Sequence, residues 1–144
     1  MINKIIYKKK ILALIVNQNK FNKKGVNFFS PNNFTKQVGI INFKKNHYIK
    51  PHTHLKHLRK IYRTSEVLLI QKGKLRVDFY IKKSKYLFSK VVKKNEILIL
   101  HEGSHGFKVL ENCRMVEVKQ GPFVKTLDKV RFNKVDEKRI RIKK

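Results

Sequence analysis

The sequence predicts an all-β domain, a sandwich or barrel of short strands, and three observations lead there. Residues 74–81 alternate strictly, with Leu75, Val77, Phe79 and Ile81 on one face and Lys74, Arg76, Asp78 and Tyr80 on the other, the period of a half-buried strand. Further β-rich runs recur at short, regular spacing between turn signals. No amphipathic stretch of helical period and useful length interrupts them.

Taken in order, residues 1–24 read as a loosely structured N-terminal arm, with the apolar patch at 11–16 as one edge strand. The domain is expected to start near Gly25, past which Ser30-Pro31-Asn32-Asn33 marks a turn. Strands are expected over 38–43, 47–52, 66–71, 74–81, 86–92, 96–100, 106–110 and 114–119. Lys72-Gly73, Lys82-Lys83-Ser84, Lys93-Lys94-Asn95 and Glu111-Asn112 supply the turns between the later ones. The β-domain so defined spans 25–132. Beyond Pro122 the chain turns polar and basic, and 133–144 reads as a basic C-terminal extension.

At 144 residues the chain suits a single core, so a second catalytic domain is not expected. Its longest unbroken apolar run, 11–16, is far short of the roughly 20 residues of a spanning helix, so no membrane span and a cytoplasmic location are expected. Cys113 is the one cysteine; it excludes an internal disulfide and reads as a small core residue. The formal charge of +27 would ordinarily point to nucleic acid. Lys outnumbers Arg 29 to 7, however, and Lys, Asn, Ile, Phe and Tyr fill 71 of the 144 positions, a bias that A/T-rich codons explain. The lysines are spread rather than striped, so a nucleic-acid partner ranks last. A homodimer is expected, through the 11–16 strand added to a neighbour's sheet.

All six histidines lie between residues 47 and 105. His52 and His54, two apart, would share one face of a strand and could offer two imidazoles to one ion, although such a pair in a basic chain is more often simply exposed. Glu66 leads an apolar run, where a carboxylate is expensive to bury without a cation. His105 follows Gly103, whose missing Cβ permits a turn tight enough to aim the imidazole inward.

Together these residues resemble the two motifs of the cupin family. Asn46-x5-His52-x-His54, then Glu66-x6-Gly73, then Asn95-x5-His101-x-Gly103-x-His105 is similar to G-x5-H-x-H-x3-4-E-x6-G and G-x5-P-x-G-x2-H. The resemblance covers roughly residues 36–123 and implies a single cupin-type jelly-roll β-barrel. It also implies metal ligands His52, His54, Glu66 and His105 around a divalent Fe, Mn, Ni or Zn ion. The sequence departs from the pattern in places. Eleven residues separate His54 from Glu66, so a loop holding Leu58-Arg59-Lys60 should bulge at the barrel mouth, with His57 as a competing ligand. Asn replaces Gly at 46 and 95, in turns that Asn tolerates, and His101 stands in place of Pro.

The resemblance extends to the segment after Glu117, similar to the end of small cupins associated with surface-polysaccharide and nucleotide-sugar metabolism. It implies a metal-dependent, isomerase-like step on a small polar or anionic ligand of sugar type. The alternatives are a non-catalytic ligand-binding or sensor protein and an Fe-dependent dioxygenase. His57 and His101 are candidate bases, and Arg63 and Lys50 are candidates to hold an anion near the mouth. Arg76 and Tyr80 would reach substrate only if the Leu75 face pointed outward; four apolar residues on that face place Arg76 in solvent instead.

Overall fold

The computed structural model describes residues 2–144 and is all-β. Its strands are β1 (Ile2–Tyr7), β2 (Lys10–Asn17), β3 (Gly25–Phe28), β4 (Gly39–Asn42), β5 (Glu66–Ile81), β6 (Lys85–Lys93), β7 (Glu96–Leu100) and β8 (Ser104–Lys119). The only helical pieces among the described residues are two three-residue 3-10 turns, and no helix is long and apolar enough to cross a membrane. All strands pair antiparallel. The main sheet runs β1-β2-β7-β5-β6, with β8 along the other edge of β5, while β3 and β4 form a separate ribbon. Among the described residues β1, β6 and β8 each pair with one strand, and no strand pairing closes the sheet.

β5 is the spine. Its first residues pair with β7, its second half pairs with β6, and β8 follows it from Glu66 to Tyr80. The two strands expected on either side of Gly73 are therefore one. Gly73 sits at φ 78°, where a Cβ would run into the backbone of Asn112, and the register with β8 slips around it. The slip resets the alternation: Leu68 and Ile70 before it, and Leu75, Val77 and Phe79 after it, all enter one core with Ile15, Val92 and Leu98. The runs 106–110 and 114–119 likewise belong to one strand, β8.

The first 24 residues are not a loose arm. Lys8 and Lys9, both at positive φ, close a hairpin between β1 and β2, and β2 pairs with β7 from Ala13 to Asn17. Both faces of β2 are covered, which is why its apolar run does not alternate. Leu12 and Ile15 join the main core; Leu14 and Val16 meet a second cluster with Phe34, Ile97 and Ile99. The strand expected to recruit a neighbour is thus consumed in its own sheet, and that ground for a homodimer disappears.

Two further expectations change. Residues 43–65 contain no strand or helix, so the strand expected over 47–52 does not exist, and Asn46 sits in a turn at φ 69°. The 133–144 extension is a packed strap. It crosses β6, where Ser89 pairs with Ile142 through backbone bonds to Arg141 and Lys143, and Arg141 donates to the Tyr86 hydroxyl and the Leu87 carbonyl. Lys90 Nζ meets the Lys144 carbonyl, and Lys143 lies over the Phe88 ring.

Candidate functional site

Directly opposed residues of an antiparallel pair share a face. His105 stands opposite Phe79, and Glu66 shares its face with Leu68, so both point to the side that carries the main core. Gly103, at φ 80° and with the Tyr80 carbonyl where a Cβ would go, makes the turn that starts β8 there. The result is a direct contact: His105 Nε2 lies 3.1 Å from Glu66 Oε2, the two side chains 27% and 19% exposed. The bond from His105 holds the Glu66 carboxyl below its ordinary pKa, against a weaker upward push from burial.

The pair opens on a cavity of about 960 Å³ walled by β5, β8 and residues 128–137. Glu66, Asp78, Glu117, Asp128 and Glu137 all line it. They are five of only nine acidic residues in a chain with 36 Lys and Arg, so most of the scarce negative charge is concentrated here. Arg76 accounts for part of that charge. Its Nε and Nη2 donate to Asp78 at 2.8 and 3.1 Å, and its Nη1 donates to Glu137 at 2.8 Å. Lys108 Nζ reaches the other Glu137 oxygen at 3.0 Å, and Ser89 Oγ donates to Asp78.

These contacts, Arg76 first and Lys108 next, pull the Glu137 carboxyl down to about 2. The same pairing, led by Glu137, raises the Arg76 pKa above its already high value. Arg76 is accordingly buried and saturated by carboxylates, neither in solvent nor free to grip a substrate. Tyr80 is buried beside it, its hydroxyl accepting from the Val135 amide at 3.2 Å, and burial raises its pKa. Lys129, Arg131 and Lys134 also line the cavity, in no ion pair among the described residues.

The other predicted site residues lie elsewhere. His52 and His54 are exposed in the 43–65 segment, rings 5.3 Å apart and edge-on, and His52 Nδ1 contacts the carbonyl of exposed Lys50 at 3.0 Å. His57 is exposed beside them. His101 stacks on Phe34 at 3.6 Å against the second cluster, where burial lowers its pKa. Arg63 pairs with Glu102 at 3.4 Å in a smaller cavity of about 330 Å³. Cys113 is half-buried and its thiol is pushed up by burial.

Of the four implied metal ligands, then, Glu66 and His105 meet and His52 and His54 do not join them. Among the described residues no three His, Cys, Asp or Glu side chains come close enough to hold an ion. A carboxylate and an imidazole have the right chemistry for a first-row divalent metal, but two donors fall short of the three protein ligands that open metal sites use. As arranged, the residues do not fit a metal.

Sequence reasoning missed the 128–137 lining of the cavity and the Asp78–Glu137 partnership of Arg76. One signal was present: Asp78 lies two residues from Arg76, on the same face of a strand, in a chain where acids are rare. Comparison with family models, curated proteins and solved structures finds no match to the chain.

Proposed function

We propose that the chain is a cup for a small polar, anionic molecule of sugar type, in which Glu66 and His105 act as a general acid–base pair. The observation that carries this reading is the 3.1 Å contact between them, partly exposed at the wall of a cavity large enough for such a ligand. Lys129, Arg131 and Lys134 would meet the ligand's anionic group. Ionised Glu66 would take a proton from the carbon beside a carbonyl, and His105 would steady the negative charge that builds on the carbonyl oxygen. Return of that proton to the former carbonyl carbon, while the hydroxyl proton on the first carbon passes to the former carbonyl oxygen, completes an isomerisation of an α-hydroxy carbonyl. The antiparallel all-β sheet, with both groups on its core side, also supports a cupin-type reading.

The test uses hexose phosphates and nucleoside-diphosphate hexoses in D2O. A ligand that raises the melting temperature should also take up deuterium at one C–H, and Glu66→Gln should abolish uptake while the protein stays folded. Stabilisation without uptake would replace catalysis by simple binding. Metal content of the same preparation separates the metal-centred version: Fe, Mn, Ni or Zn retained by the parent and lost in His52→Ala/His54→Ala would mean that these histidines complete the site.

A further inference from the structure

We propose that residues 43–64 form a docking surface for an anionic lipid bilayer. The segment contains Lys44, Lys45, Lys50, Lys56, Arg59, Lys60 and Arg63 and no Asp or Glu. Only Arg63 is in an ion pair among the described residues. Between these cations stand large apolar side chains with nothing packed over them: Ile49 is 54% exposed, Leu55 81%, Leu58 83% and Tyr62 88%. The main core does not use them. Cations interleaved with exposed aliphatics match the two layers of a lipid leaflet, the cations at the headgroups and the aliphatics at the acyl boundary.

The same charge would attract single-stranded nucleic acid, but there the apolar partner must be a ring that stacks on bases. Phe43 is already stacked on His47 at 3.8 Å and His52 meets His54 edge-on, which leaves Tyr48 and Tyr62, fourteen positions apart, and the lone imidazole of His57 against four exposed aliphatics, Ile49, Leu55, Leu58 and Ile61. The observations favour the bilayer.

The lysine coat as a whole will attract any anionic surface, so the experiment isolates the segment. The full chain is sedimented with phosphatidylcholine vesicles and with vesicles of phosphatidylcholine and phosphatidylglycerol, and a single-stranded oligonucleotide is titrated separately. Each Lys or Arg at an anionic leaflet is worth about fivefold in affinity. Lys56→Gln/Arg59→Gln/Lys60→Gln should therefore weaken binding to the anionic vesicles on the order of a hundredfold. An equal-charge control at the exposed β5–β6 turn and the first residue of β6, Lys82→Gln/Lys83→Gln/Lys85→Gln, should weaken it less than tenfold. Leu55→Ser/Leu58→Ser, which touches no core residue, should weaken vesicle binding at least tenfold with an unchanged melting temperature. Equal loss in the two charge variants, no loss in the leucine variant, or tighter binding to the oligonucleotide than to the vesicles would each overturn the proposal.

Discussion

Nη1 of Arg76 lies 2.8 Å from Oε2 of Glu137, joining the middle of β5 to a residue 61 positions further along. Arg76 is nearly inaccessible, and Asp78 beside it is 4% exposed, so the contact closes a charge network under the C-terminal strap. A buried arginine must be matched by carboxylates, and the sheet supplies one of them while the strap supplies the other. The basic tail is thus tied to the fold through its acid at Glu137.

Removing the cation should be costly. Arg76→Met leaves Asp78 buried with only the Ser89 hydroxyl as a side-chain partner and should lower stability by about 3–5 kcal/mol in urea unfolding. Arg76→Met/Asp78→Leu should recover much of that loss, because it removes the unpaired charge as well. A single-variant loss below about 1 kcal/mol would mean that the network is solvated.

Acid should loosen the strap. Glu137 titrates at about 2 in the folded chain against an ordinary value of 4.5, so its contribution is complete above pH 4.5 and is lost as pH falls through 2. Glu66, also depressed, contributes in the same direction. Melting temperature should fall across that window, and the fall should be shallower in Glu137→Gln than in the parent chain. Identical profiles would count against the pairing.

Gly73→Ala tests the register slip in β5. The position combines φ 78° with backbone of Asn112 and Glu111 where the methyl group would sit. The substitution should destabilise by more than about 1 kcal/mol, although alanine in an unstrained position would stabilise. A neutral or positive change would show that the register slip does not depend on the glycine.

The parts of the fold that were legible in the sequence are those where one face is buried and the other is not. The alternation of 74–81 marked its strand, and Lys93-Lys94-Asn95 marked the turn between β6 and β7, where Asn95 adopts φ 66°. β2 was read as an arm because burial on both faces erases the period that separates strand from apolar patch. Arg76 was read as solvent-facing because four apolar neighbours claim the opposite face; nothing in those eight residues reveals that a strap from 133–144 covers the polar side too. The family resemblance put Glu66 and His105, with 38 residues between them, in one ligand set, and the structure has the two in contact. The resemblance could not place His52 and His54, whose strand does not form without an alternating pattern to fix it.

The most direct test of the Glu66–His105 pair is the pH titration of the Glu66 carboxyl carbon by NMR, in the parent chain and in His105→Ala. The contact predicts a midpoint below 4.5 in the parent and a rise in the variant, where burial is opposed only by the weaker pull of Lys119 and Lys129. An ordinary midpoint that does not move when the imidazole is removed would contradict the pairing, and with it the acid–base site.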